Sequence, residues 1–166
     1  MHKALQLAVL TIGLAGSVLA GPTLACHEWV STPGSVFETL DQLRRTSMEA
    51  DDSPANMQAA RAKLAQLRAD IKPGDPVSLM KAGYWAEVLH AIGVSSEADG
   101  PELMLRALAL RPNDAEYEFM VALANFDHDK VTFHKHWNRA HELAKPGSAA
   151  AQNLELFRKI LAERNV

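Results

Sequence analysis

Four histidines near the C-terminal end are the residues whose type is best suited to metal chemistry. They are His128, His134, His136 and His141, with Asp127 and Asp129 beside the first. Imidazole and carboxylate together suit zinc or copper. On a helix, however, His134 and His141 would lie about 10 Å apart along the axis, whereas two ligands on one helix need a spacing of three or four residues. A metal site would need a second element, so exposed helix histidines are the default expectation.

Residues suited to covalent or acid–base catalysis are sparse. The only cysteine, Cys26, is followed by His27, but neighbours in sequence do not make a nucleophile–base pair. No nucleophile elbow, phosphate-binding loop or dinucleotide fingerprint occurs. Carboxylate pairs such as Glu38 with Asp41, or Glu116 with Glu118, are most simply solvated helix-surface charges. The sequence therefore predicts neither an enzyme nor a cofactor, with an unrecognised hydrolase as a third alternative.

The first 25 residues have the composition of a secretory signal peptide. His2 and Lys3 precede a mostly apolar run that Gly21 ends, and small residues at Ala20 or Ala25 suit signal cleavage. Cys26 directly follows Ala25, as in bacterial lipoproteins, whose cysteine is acylated as the first mature residue. Ordinary cleavage would instead leave an unpaired thiol. We therefore expect export to the periplasm, with a lipid anchor at Cys26 as the only predicted link to a membrane.

Size and charge limit the remaining possibilities. Residues 26–166 are enough for one domain with a real core, and residues 26–34 are expected to be an extended lead-in. The net charge of the whole chain is −3, and Lys and Arg are not clustered. A nucleic-acid-binding protein would need a concentrated positive face, so we expect no nucleic-acid partner.

The chain after the lead-in predicts seven helices and no strand. Apolar side chains recur at steps of three and four, most clearly in the second helix at Met57, Ala60, Leu64, Leu67 and Ile71. Capping residues and prolines separate the helices, which are expected to start near residues 35, 54, 77, 101, 115, 130 and 148. Short polar loops make neighbouring helices antiparallel. The predicted fold class is all-α.

Two helix endings in the second half of the chain are near-copies of each other. Residues 106–112 read Arg-Ala-Leu-Ala-Leu-Arg-Pro, and residues 139–146 read Arg-Ala-His-Glu-Leu-Ala-Lys-Pro. Their prolines, Pro112 and Pro146, lie 34 residues apart, which is the period of a stacked helix pair. Residues 77–146 resemble two tetratricopeptide repeats, in which each pair ends on a small residue, an apolar residue and a proline. The resemblance implies an array of helix hairpins that works by binding.

The match to that family is degenerate. Ala107 and Ala122 stand at small positions of the repeat, but His141 replaces the small residue before Pro146. Helix six regains its register at a spacing of 33 residues, where Ala140 matches Ala107. We interpret residues 35–166 as a tetratricopeptide-like array of three helix pairs with a C-terminal capping helix. A generic bundle of antiparallel helices is the alternative.

The resemblance also nominates a binding surface. In tetratricopeptide arrays the first helix of each pair lines the concave face, and the 34-residue register places an apolar strip there. It comprises Trp85, Leu89 and Ile92, matched one repeat later by Phe119, Leu123 and Phe126. Such a strip would accept a partner helix or extended peptide with little salt dependence. The alternative is that these side chains pack against adjacent helices or the N-terminal segment.

These observations predict an exported, non-catalytic protein-interaction module of the bacterial cell envelope. Its expected partner is an envelope protein or peptide, bound through Trp85, Leu89, Phe119, Leu123 and Phe126. The alternative function is a small envelope metal-binding protein that uses His128, His134 and His141.

Overall fold

The structure, a computed structural model, describes residues 29–47 and 53–163. This part of the chain contains seven α-helices and no strand, so the all-α prediction is confirmed. The helices are α1 (Val36–Ser47), α2 (Pro54–Ala69), α3 (Pro76–Ala91), α4 (Gly100–Leu110), α5 (Ala115–Asn125), α6 (Lys130–Leu143) and α7 (Ala149–Glu163). Each starts within one residue of its predicted position. The predicted signal peptide, residues 1–25, and Cys26 lie outside the described residues.

Short polar side chains fix where the helices begin. The Ser53 hydroxyl accepts a hydrogen bond from the amide of Asn56, directly before Pro54. Asp114 and Asp129 cap α5 and α6 in the same way, as the sequence predicted. Each cap satisfies an amide that has no partner within its helix. Local sequence therefore sets the helix boundaries before any long-range packing is considered.

Helices that follow one another in the chain pack against one another. The closest associations are α3 with α4 and α5 with α6, while α2 packs on α3 and α4 on α5. Two glycines allow α3 and α4 to approach closely: a Cβ on Gly83 would lie 2.8 Å from the carbonyl oxygen of Gly100 and 2.8 Å from Cγ of Met104. The α3–α4 and α5–α6 hairpins are thus the central units of the fold.

The first and last helices close over these hairpins. The main helix contacts of α1 are with α3 and α5 rather than with α2, and α7 packs against α5 and α6. Residues 29–35, here called the N-terminal segment, lead into α1 without regular structure. The side of the hairpins formed by α3 and α5 is therefore covered by the chain itself.

None of the helices in the described ranges is long and apolar enough to cross a lipid bilayer.

We expect Gly83→Ala to destabilise the protein by about 1–3 kcal/mol, because the new methyl group would force α3 and α4 apart. Helix propensity alone would give the opposite sign, a gain of about 1 kcal/mol. Urea unfolding followed by circular dichroism measures the difference. Ala62→Gly, at an exposed position of α2, is the control for propensity and should cost about 1 kcal/mol. A stabilised Gly83→Ala variant would contradict the close-approach argument.

Candidate functional site

The five side chains predicted to bind a partner lie in the protein's own core. Trp85, Leu89 and Phe119 are 0 % exposed, Leu123 is 6 % exposed and Phe126 is 5 % exposed. Of the apolar strip expected on the concave face, only Ile92 is open to solvent. The strip is therefore not a surface in this structure, which corrects the expectation drawn from the repeat register.

Aromatic residues from outside the hairpins cover this face. The ring centroid of Phe119 lies 6.0 Å from that of Trp29 in the N-terminal segment, 5.7 Å from that of Phe37 in α1 and 6.2 Å from that of Phe157 in α7. Edge-to-face arrangements of this kind add to the free energy gained by burying the rings. The register placed these residues correctly on the inner face, but it did not show that the chain fills that face.

Asn153 of α7 holds the N-terminal segment in place. Its Oδ1 accepts a hydrogen bond from the amide of Val30 at 2.9 Å, and its Nδ2 donates to the carbonyl oxygen of Val30 at 2.8 Å. Asn153 is 1 % exposed, so this double bond to a main chain is made in a protected environment. The sequence gave no signal for it, because the two residues are 123 positions apart.

An open groove of about 580 Å³ runs beside the N-terminal segment. It lies where this segment meets the turns between α4 and α5 and between α6 and α7. The lining residues are mostly polar: Thr32, Pro33, Gly34, Ser35, Arg111, Pro112, Asn113, Asp114, Ala115, Glu116, Leu143, Lys145, Ser148 and Ala150. The sequence gave no sign of this groove because its walls come from three distant parts of the chain.

The carboxylates of the groove are already engaged with helix ends. Asp114 accepts hydrogen bonds from the amides of Glu116 and Tyr117. Glu116 Oε2 accepts the amide hydrogen of Val36, at the start of α1, at 2.7 Å. Burial raises the pKa of Glu116, and the nearby charge of Asp114 adds to the rise. Glu116 is half-buried and Glu118 is buried, so the expectation that this pair is solvated was wrong.

Two cations of the groove remain available. Arg111 and Lys145 are exposed, and neither pairs with a carboxylate among the described residues. The Arg111 guanidinium lies 6.0 Å from the centroid of the Tyr117 ring, at the limit of a cation–π contact. Because Asp114 and Glu116 bond to main-chain amides, the groove presents mainly positive charge to a ligand. Its hydroxyls are also used locally, since Ser35 and Ser148 accept hydrogen bonds from amides of α1 and α7.

The predicted histidine cluster is divided between separate places. His134 and His141 are exposed on α6, where their rings lie 5.0 Å from those of Phe133 and Trp137 respectively. His128, in the turn before α6, instead lies beside Glu87 of α3. Within residues 29–47 and 53–163, no three histidine, cysteine or acidic side chains are grouped to hold a metal ion.

His136 has a role that the sequence did not reveal. Its Nδ1 lies 2.6 Å from Oε2 of Glu118, and both side chains are buried between α5 and α6. This carboxylate–imidazole pair joins two helices of one hairpin. Spacing along the chain gave no sign of it, since Glu118 and His136 are 18 residues apart on different helices.

No known protein-family model, curated protein or solved structure matches this chain.

We expect Phe119→Ala to destabilise the fold by about 3–5 kcal/mol, because it empties the centre of the aromatic cluster. The measurement is the free energy of unfolding in urea. Val131→Ala, at a position that is 79 % exposed, is the control and should change stability by less than about 0.5 kcal/mol. A Phe119→Ala variant with unchanged stability would show that the cluster is not the centre of the core.

Proposed function

We propose that this protein is an exported, non-catalytic interaction module of the bacterial cell envelope that binds an extended, acidic segment of a partner protein. The groove beside the N-terminal segment is the proposed binding site. The observation that supports this is an open volume of about 580 Å³ whose carboxylates are engaged while Arg111 and Lys145 are free. This volume is within the range of about 300–1,000 Å³ found for ligand sites in proteins.

The proposed cellular address comes from the sequence. Residues 1–25 have the order of polar start, apolar run and small residues that a signal peptidase reads. Acylation of Cys26 would tether the domain to a membrane, whereas cleavage without acylation would release it into the periplasm. In both cases the helical domain would face other envelope proteins.

The helix hairpins support a binding role. The α3–α4 and α5–α6 hairpins carry the 34-residue spacing of Pro112 and Pro146 and pack in sequence, as expected for a degenerate tetratricopeptide-like array. In this chain the inner face is filled by α1, α7 and the N-terminal segment. The partner site proposed here therefore lies at the ends of the hairpins, where the turns leave polar main chain and cations exposed.

The charges of the groove define the kind of partner. An acidic segment would place carboxylates near Arg111 and Lys145, while its main chain would meet the polar turns around Asn113 and Ser148. Exposed charges attract each other over a Debye length of about 8 Å at physiological ionic strength, and added salt screens them. Binding should therefore weaken as salt increases, in contrast to the salt-independent binding expected of the apolar strip.

The test is binding of a fluorescein-labelled peptide of alternating glutamate and glycine to the purified helical domain. We expect Arg111→Glu with Lys145→Glu to weaken binding by at least about tenfold, because two attractions become repulsions. The control is Arg106→Glu with Lys135→Glu, which makes the same charge change at exposed positions outside the groove. It should change the affinity by less than about threefold.

Equal loss of affinity in the two double variants would mean that only net charge matters, and would contradict a specific groove. The same variants can be used as bait in envelope extracts. A partner that is retained by the control but lost by the groove variant would identify the process that this protein serves.

A further inference from the structure

A buried carboxylate of α3 lies against a histidine from the other central hairpin. The Glu87 side chain is 7 % exposed, and its Oε2 lies 3.3 Å from Nε2 of His128 in the turn between α5 and α6. The ring of His90, one turn after Glu87 on α3, lies 5.5 Å from the ring of His128, centroid to centroid. These three residues are here called the Glu87 cluster.

The position of Glu87 is tightly packed and incompletely hydrogen-bonded. A Cβ on Gly100, the first residue of α4, would lie 2.4 Å from Oε1 of Glu87, so the carboxylate fills the space at the start of that helix. Neither this Oε1 nor the buried Nδ1 of His90 has a hydrogen-bond partner among the described residues. A buried carboxylate with an unbonded oxygen costs free energy. A neutral glutamine of the same shape would fill this space without burying a charge.

The charges that face Glu87 leave the two histidines as its source of positive charge. Asp99, just before α4, adds negative charge, and its own cation is Arg68 of α2, whose Nη2 lies 2.6 Å from Asp99 Oδ1. Arg68 also contacts Glu97. In the turn of His128, Asp127 and Asp129 are exposed, and Asp129 is engaged in capping α6. The charge of Glu87 is therefore balanced only when an imidazole is protonated.

Burial raises the pKa of Glu87; the charges of His128 and His90 oppose this rise, and that of Asp99 adds to it. A carboxyl group with a raised pKa in the folded state stabilises the fold at low pH, and this contribution is lost as the pH rises through the folded pKa. Protonation of an imidazole beside an ionised carboxylate acts in the same direction. Adding a proton to the cluster therefore favours the packed arrangement.

The buried pair of Glu118 and His136 differs in both position and exposure. It joins α5 and α6 within one hairpin, and both of its side chains are shielded from solvent. In the Glu87 cluster the contact is between hairpins, and the His128 side chain is 37 % exposed. A proton can therefore reach His128 from solvent without opening the core.

We propose that Glu87, His90 and His128 form a proton-sensitive clamp that holds the α5–α6 turn against the α3–α4 hairpin. Uptake of a proton in mildly acidic conditions tightens the clamp, and loss of that proton releases the turn. The clamp lies at the C-terminal end of α5, whereas the groove lies at its N-terminal end. It is therefore independent of the proposed peptide site.

Amide hydrogen exchange in the turn tests this proposal. The amides of His128 and Asp129 both donate to the carbonyl oxygen of Asn125, at 3.2 Å and 2.9 Å, so they report opening of the turn. We measure their exchange by NMR and correct each rate for its intrinsic pH dependence. Between about pH 8 and about pH 6 we expect protection of both amides to rise about threefold to tenfold, where tenfold corresponds to one pKa unit of linkage.

Two substitutions connect this response to the cluster. Glu87→Gln keeps the shape but removes the charge, so protection should become independent of pH over this range. His128→Gln should have the same effect, whereas His134→Gln, at an exposed position of α6 outside the cluster, should keep the wild-type response. Retention of the wild-type response in Glu87→Gln would overturn the proposal.

A measurement on the unmodified protein guards against misfolded variants. The ring resonances of His128 and the amide shift of Asp129 should titrate together with one midpoint. The amide of Glu118, which donates to the carbonyl oxygen of Asp114 at the other end of α5, should not follow that midpoint. An amide of Asp129 that does not respond to the titration of His128 would also overturn the proposal.

Discussion

Burial of the Phe119 ring is the interaction on which the rest of the structure depends. Its neighbours are the rings of Trp29, Phe37, Trp137 and Phe157, which come from the N-terminal segment, α1, α6 and α7. These elements are distant in sequence, and the aromatic cluster is where they meet. Aromatic side chains bury large areas, so covering Phe119 strongly favours closure of the chain around α5. The helix hairpins supply the frame, and this cluster determines how the remaining elements close over it.

Closure around Phe119 also determines which surfaces remain for binding. Once α1, α7 and the N-terminal segment cover the inner face, the apolar side chains of α3 and α5 are unavailable to a partner. The N-terminal segment must then pass the starts of α5 and α7 to reach its place against Asn153. That path leaves the groove, because helix ends and turns carry polar groups that do not pack tightly. The site available to a partner is consequently polar and charged.

The two carboxylate–imidazole pairs show how the same chemistry can differ with location. Glu118 and His136 are close, buried and within one hairpin, so they behave as part of the core. Glu87 and His128 are further apart, join different hairpins and reach solvent. A buried charge whose partner is accessible to protons links the packing of helices to pH, whereas a sealed pair does not. This difference is the basis of the proposed clamp.

Sequence by itself determined the helices, because apolar spacing and capping residues act over a few positions. Asp114 and Asp129 marked the starts of α5 and α6, and the register of Trp85 with Phe119 placed both on the inner face. Only tertiary structure decided what covers that face and where the groove lies. Contacts such as that of Asn153 with Val30 span 123 positions and leave no periodic trace. Hydrophobic burial is non-directional, so it does not specify which distant segment covers an apolar face.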